Sequence, residues 1–263
     1  MKINSVLIVL GVLLSASCSN LSKVLKNPDV DTRYNAAMQY YEEEDYAKAG
    51  IVLENLIPDI IGKPEAEKVQ YYFAYCHYHS GQFDLANYYF KSFHDTYQRS
   101  AFAKEALFMS AYSLVASTPI YNLDQSNTEM TLSSLQDFIN RYPESQYVAQ
   151  AEAAIKELRA KLEIKAFEIA KQYQKLRRYE AAVIAFDNFR KNFPDSYLKE
   201  EAIFRRLESQ YEYAKLSYYT VKAERIEELA QMYIKFIDKY PNSEFRKKAE
   251  TFYKYTQKET AGL

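Results

Sequence analysis

The 263 residues include no tryptophan, five glycines, three histidines and two cysteines. Each shortage excludes something. A phosphate-binding loop needs several glycines in one short stretch, so that backbone N–H groups can close on the anion, and there is no such stretch. No Gly-x-Ser-x-Gly elbow and no His-Glu-x-x-His helix occurs. Cys76-His77-x-His79 invites a metal, and His94 is the third histidine. Consecutive helical positions point in different directions, however, and no second pair supplies the remaining ligands. The carboxylates Glu42-Glu43-Glu44 close a helical pattern and read as solvated. No metal, no cofactor and no enzymatic activity is therefore expected. Charge of one sign is missing too: 34 basic residues face 35 acidic ones. A nucleic-acid binder would show a basic excess, so nucleic acid is not an expected partner.

Aromatic residues are plentiful, with 26 Tyr and 15 Phe, and they recur at helical spacing. From Glu163 to Ser196 the chain reads as two amphipathic helices. Phe167, Ala170, Tyr173 and Leu176 form the face of the first, and Ala182, Phe186 and Phe189 that of the second. Pro194 lacks an N–H and disfavours helix at the residue before it, which ends the second helix at Phe193. Asp195-Ser196 then offers side-chain oxygens to the next helix. Small, aromatic, turn, Tyr179-x-x-Ala182, aromatic, proline is the tetratricopeptide pattern, with Arg177 at the usual turn glycine.

The helix end recurs in phase as Phe90-x-x-Phe93, Leu135-x-x-Phe138, Phe186-x-x-Phe189 and Tyr233-x-x-Phe236. Each is followed four residues later by Tyr97, Tyr142, Phe193 or Tyr240, and then by Ser100, Ser145, Ser196 or Ser243. The turns Glu44-Asp-Tyr46-x-x-Ala49 and Gly81-Gln-Phe83-x-x-Ala86 match as well. The phase gives five repeats, at 30–63, 67–100, 101–145, 146–196 and 197–243, and a closing helix near 243–258. One helix pair cannot bury both of its faces, so neighbouring pairs must stack. The expected fold is all-α: a tetratricopeptide-like superhelix of helix pairs with a concave groove.

The start is different. Met1-Lys2 leads into an apolar run from Val6 to Leu14, then Ser15-Ala16-Ser17-Cys18, which describes a secretory signal over 1–17. The run is shorter than the roughly 20 residues a membrane span needs. Small residues before a cysteine resemble the bacterial lipobox, although Ser15 stands where leucine is usual. The resemblance implies a lipidated (palmitate-bearing) Cys18, which leaves Cys76 as the only thiol and allows no intrachain disulfide. Residues 18–30 read as a lipid-anchored tether, 31–258 as the repeat domain and 259–263 as a frayed tail. Thr118 to Asn127 reads as a long polar connection, Gln146 to Lys175 as one long helix, and Ser217 to Val221 as a stretched link.

In tetratricopeptide folds the first helix of each pair lines the concave face. Applied here, a peptide groove would carry Tyr34, Met38 and Tyr41, then Tyr71, Tyr75 and Tyr78, then Phe108 and Tyr112. Tyrosine suits a binding face, because it combines a large apolar body with a polar tip and few rotamers to freeze. The competing reading is that some of these rings pack against the chain's own turns.

Signal, Cys18 and five repeats with expanded third and fifth members together resemble the BamD-type outer-membrane assembly lipoproteins over nearly the whole chain. Its most specific pieces are the turn Tyr142-Pro143-Glu144-Ser145-Gln146-Tyr147 before a long helix, and Phe193-Pro194-Asp195-Ser196. Gly81-Gln82-Phe83-Asp84-Leu85-Ala86 fits too. The resemblance implies a scaffold anchored by lipid in the outer membrane and facing the periplasm. Its implied partners are unfolded β-barrel precursors and a POTRA-bearing barrel protein. The absence of acid in the segment after Cys18 agrees with that orientation by analogy with surface-exported lipoproteins, which carry an acidic cluster there. The family's partner-contacting arginine aligns with Glu200, beside Lys199, so that contact would have different chemistry. Another tetratricopeptide envelope adaptor, working in peptidoglycan or envelope coordination, and a glycan-capture lipoprotein are the alternative readings.

Overall fold

A computed structural model describes residues 20–261, which are helical with no strand among them. The helices come in pairs: α1 (Val30–Glu42) with α2 (Tyr46–Leu56), α3 (Glu65–His79) with α4 (Phe83–Thr96), and α5 (Ala103–Ser117) with α6 (Ser126–Arg141). There follow α7 (Val148–Lys175) with α8 (Tyr179–Asn192), α9 (Lys199–Lys215) with α10 (Tyr219–Lys239), and a closing α11 (Arg246–Thr260). This is the expected all-α arrangement of five helix pairs and a final helix. The chain forms two compact units: one up to Pro119 together with Asp124–Leu158, the other Ile120–Leu123 together with the chain from Arg159 on.

Two junctions repeat, and both answer the question of where a helix end sends its unpaired backbone groups. Within three of the five pairs, the turn is a left-handed C-cap. Glu44, Gly81 and Arg177 have φ of 61°, 72° and 57°. The next N–H reaches back five residues: Asp45 to the Tyr40 carbonyl, Gln82 to His77 and Arg178 to Tyr173, each at 2.9 Å. Glycine at position 81 adopts this conformation freely, whereas Glu44 and Arg177 carry a Cβ into it at a cost of about 1–2 kcal/mol each.

Between pairs, the junction is the aromatic–Pro–Ser rhyme. The N–H of Tyr97, Tyr142, Phe193 and Tyr240 closes the preceding helix on the carbonyl of Phe93, Phe138, Phe189 and Phe236. Ser100, Ser145, Ser196 and Ser243 then accept, on Oγ, the N–H two residues ahead, at 3.0, 3.3, 2.9 and 3.1 Å. In two repeats the same hydroxyl donates to a carboxylate on the first helix of the preceding pair, four residues before its core aromatic: Ser100 to Glu67 and Ser196 to Glu163, both at 2.5 Å. A single serine thereby ties the first helix of one pair to the start of the next pair.

Packing follows this register. Ala37, Ala74, Ala111 and Ala170 are buried where helices approach closely. In the first unit one cluster forms around Val52, Leu53 and Phe73, and a second around Phe90, Phe93, Phe108 and Phe138. In the second unit Phe167 lies 5.9 and 5.4 Å, centroid to centroid, from Phe186 and Phe189. Phe204, Leu229, Phe236 and Phe252 form the remaining cluster.

Five expectations are corrected. The described part of the 18–30 tether is not a free linker. Residues 20–25 are helical, and Leu21, Val24 and Leu25 pack on the first cluster at the i, i+3, i+4 spacing of a buried helical face. The tail does not begin to fray at 259, because α11 runs to Thr260 and Glu259 pairs with Lys222 at 2.6 Å. The link read as stretched over 217–221 is the three residues between Lys215 and Tyr219, and the polar connection ends earlier than expected, at Gln125. Finally, Tyr173 and Leu176 extend the helical spacing of Phe167 and Ala170 but stay exposed. Signal and Cys18 lie outside the described residues.

Phe186 is fully buried. Truncating it to Ala should cost about 3–5 kcal/mol, the range for a core phenylalanine. Urea unfolding followed by circular dichroism measures this, and a loss below about 1 kcal/mol would contradict the packing described.

Candidate functional site

The eight ring and methionine positions expected to line a groove separate by register. Tyr71 and Phe108 stand three residues before a buried alanine, the register of Phe167, and Phe204 stands likewise before the buried Leu207. That register is the core slot, not the groove. Tyr71 is 6% exposed and stacks on Phe102 at 4.4 Å; Phe108 is 1% exposed and stacks on Tyr147 at 4.9 Å. Phe204 stacks likewise on Phe245 at 4.4 Å. In each case the covering ring lies two residues beyond the junction serine, so the turn that joins two pairs also roofs the aromatic of the first helix. Tyr34 has the same register but precedes a pair linked by a short 3-10 helix (Ile57–Ile60) instead of the serine junction. It stays half-buried and lines a small cleft with Val30 and Val69.

The other five, Met38, Tyr41, Tyr75, Tyr78 and Tyr112, are half-buried on the first helices of the first unit. The rings of Tyr41, Tyr75 and Tyr78 are joined in a ladder. Tyr41 meets Tyr46 and Tyr72 edge-on at 5.2 Å, and Tyr46 stacks on His79 at 4.4 Å. His79 in turn stacks on Tyr75 at 5.8 Å, and Tyr75 meets Tyr78 at 6.5 Å. Burial and then the neighbouring Tyr112 push the Tyr78 hydroxyl above its usual pKa.

Glu105 of α5 organises the inner edge of this ladder and was not singled out from the sequence. Tyr75 donates its hydroxyl to Glu105 Oε1, and the hydroxyls of Tyr71 and Tyr147 lie near the same carboxylate. Burial first, and then the carboxylate, hold the phenols of Tyr71 and Tyr75 firmly protonated. The bond from the Tyr75 hydroxyl gives this carboxylate a donor without a cation and holds Tyr75 in one orientation.

The cysteine and histidines are absorbed into packing. Burial raises the Cys76 thiol to about 12, and Cβ of Cys76 lies 3.4 Å from where a side chain on Gly50 would begin. His77 bonds to Gln82 and stacks on Tyr89; His94 lies 3.1 Å from the Tyr142 hydroxyl. Among the described residues, no group of three His, Cys, Asp or Glu could hold a metal ion, and no helix is long and apolar enough to cross a membrane.

The chain matches the family model described as "YfiO: Outer membrane lipoprotein" over residues 27–229, from just before α1 into α10. The chain belongs to this outer membrane lipoprotein family. It is also 26% identical, over 79% of its own length and 83% of the relative's, to the "Outer membrane protein assembly factor BamD" of Rickettsia prowazekii (strain Madrid E).

In this family member the partner-contact positions that the resemblance suggested, Lys199 and Glu200, sit at the start of α9 in a crowded basic corner. Lys199 Nζ donates to the Pro194 carbonyl, and Glu200 stands at the register of Glu67 and Glu163, near Tyr240. Burial and then the charges of Lys199 and Arg190 lower the pKa of Lys239. Asp187 of α8 is the local counter-charge, 2.8 Å from Arg190, 2.7 Å from Lys191 and 3.3 Å from Arg206 of α9. The Nε atoms of Arg190 and Arg206 have no hydrogen-bond partner.

Burial pushes the Asp187 carboxyl up, but bonds from Lys191 and Arg190 and the charge of Arg206 outweigh it and hold the pKa at about 2. The folded value lies below the ordinary 3.8, so this group's stabilisation is complete above the unfolded pKa and fades as pH falls from about 3.8 through about 2. With screening at a partly exposed site it amounts to about 1–2 kcal/mol. Asp187→Asn should remove that part of the acid-induced loss. Urea unfolding of both proteins between pH 5 and pH 2, compared as a difference, isolates it; parallel curves would refute the assignment.

Proposed function

We propose that this outer membrane lipoprotein is a non-catalytic scaffold for β-barrel assembly. It receives barrel precursors on the tyrosine ladder of its first unit and holds a POTRA-bearing barrel partner through its second. The observation that carries the reading is the family match across the helix pairs, with the BamD assembly factor among the chain's relatives. The ladder supports the precursor half. Tyr34, Met38, Tyr41, Tyr75, Tyr78 and Tyr112 offer half-buried rings and a thioether with ordered neighbours, so little rotamer freedom is lost on binding. Barrel precursors often end in an aromatic residue, which suits such a face. Tyr71 and Phe108 support the ladder from beneath and make no contact in this scheme. The basic corner around Lys199 supports the partner half, since one carboxylate, Asp187, is shared by three cations there and Lys199 and Lys239 lie close by. In the same reading Cys18 carries the lipid, the protein faces the periplasm, and the helical turn at 20–25 keeps the first pair close to the anchor.

Two measurements test this. Replacing Tyr34, Tyr78 and Tyr112 together with Ala should weaken binding of a fluorescent precursor C-terminal peptide about tenfold or more while leaving helicity near wild type. The control variant replaces Ile51, Leu85 and Tyr88, exposed on second helices, and should bind within twofold of wild type. The opposite ranking would refute the ladder as the receiving face. Separately, Cys18→Ala should release the protein from envelope membranes or trap it with its signal uncleaved. Unchanged outer-membrane fractionation, with no lipid on the wild-type N-terminus by mass spectrometry, would refute the anchor.

A further inference from the structure

The second unit carries an open cleft of about 950 Å³ that the scaffold reading leaves unused. It is lined by the last three turns of α7, by Tyr121 and Asn122, which belong to the same unit, and by Arg205 of α9. Two features set it apart. The first is uncovered apolar surface: Leu176 is 61% exposed, Tyr121 42% and Ile169 39%. Ile169 and Leu176 lie seven residues apart, two turns along one face of α7. The second is charge. Lys165, Lys171, Lys175 and Arg205 line the cleft against one carboxylate, Glu168.

These cations are not equally occupied. Lys171 pairs with Glu168 at 2.7 Å and Arg205 with Glu201 at 2.6 Å. Lys165 donates to the carbonyl of Leu123, which holds the 120–123 segment against α7. Lys175 is exposed on the last turn of α7 and makes no ion pair among the described residues. Complementing the helix dipole accounts for a lysine at that place. It does not account for Ile169, Leu176 and Tyr121 being left open beside it, nor for a connection that spends its apolar residues on an exposed wall. A partner that covers the apolar floor and brings carboxylates to the rim satisfies both.

We infer that this cleft docks a short acidic, amphipathic segment of a partner protein. Its apolar side chains lie on Tyr121, Ile169 and Leu176, and its carboxylates face Lys171, Lys175 and Arg205. The connection between α5 and α6 then has a role: it supplies the tyrosine opposite α7. This site uses none of the residues of the tyrosine ladder, so the two stand or fall separately.

The test is fluorescence anisotropy on the full-length chain in detergent. The probes are a labelled peptide of alternating Leu/Phe and Glu, its isomer with Lys for every Glu, and a version with Ser for every Leu and Phe. The acidic amphipathic peptide should bind at least about tenfold more tightly than either control, and more weakly as salt rises. Lys175→Glu and Leu176→Ser should each reduce its affinity about tenfold without lowering the melting temperature, because both side chains are exposed. The inference is overturned if the three peptides bind alike or if both variants stay within twofold of wild type. Two other outcomes overturn it by naming a different occupant. One is binding to phosphatidylglycerol vesicles that Lys175→Glu abolishes while the acidic peptide fails to bind. The other is self-association in sedimentation equilibrium that Leu176→Ser abolishes while the peptide fails to bind.

Discussion

A helix pair has two apolar faces and can hide only one of them in its own interface, and every regular feature of this chain follows from how the second face is covered. The covering is done by a junction of a few residues. A phenylalanine near the end of the second helix fills the core, and an aromatic residue four positions on closes that helix. A proline or glutamine stops it, and a serine turns the chain. The ring or leucine two residues beyond the serine then lands on the aromatic of the first helix, as Phe102 does on Tyr71 and Phe245 on Phe204. Because the serine hydroxyl also reaches back to Glu67 or Glu163, the junction fixes the register of one pair against the next by hydrogen bonds as well as by packing. Burial alone is non-directional and would tolerate a slip along the helix axis.

That junction also divides the tyrosines between structure and surface. A ring three residues before the buried alanine is roofed by the next turn and lost to solvent. A ring one helical turn later, such as Tyr75 or Tyr112, lies beyond the roof and keeps an open face. In the first unit the open rings touch one another through His79, and Tyr75 is braced from below by its hydrogen bond to Glu105. A binding face built this way is rigid before any ligand arrives. Over the second unit the same positions hold Lys171 and Gln174, and the surface becomes cationic around an apolar floor. One backbone plan thus presents two chemically different surfaces.

The fold class, the five pairs, the long α7 and the closing helix were legible in the sequence, because all are written in local signals: helical spacing of apolar residues, proline breaks and serine after them. The core phenylalanines were legible for the same reason. The lipid anchor proposed at Cys18 rests on a resemblance alone. The links were less so. The 118–125 connection was recognised, but the helix after it was placed late. The helical turn at 20–25 was missed, because three apolar residues among polar ones make a weak pattern that only a waiting hydrophobic surface turns into a packed element.

What the sequence could not settle by itself was which aromatic residues are walls and which are foundations. Tyr71, Tyr75 and Tyr78 share one helix and one residue type, and periodicity puts all three on a broad aromatic face. Their fates differ because a residue from a distant turn, Phe102, covers Tyr71 and leaves the others. Glu105, Asp187 and the cleft beside Leu176 are hidden from sequence in the same way. Their meaning lies in the hydroxyls, guanidiniums and exposed rings brought to them from other helices. Local chain physics determined where the helices start and stop; the through-space company each side chain keeps was decided by the tertiary structure.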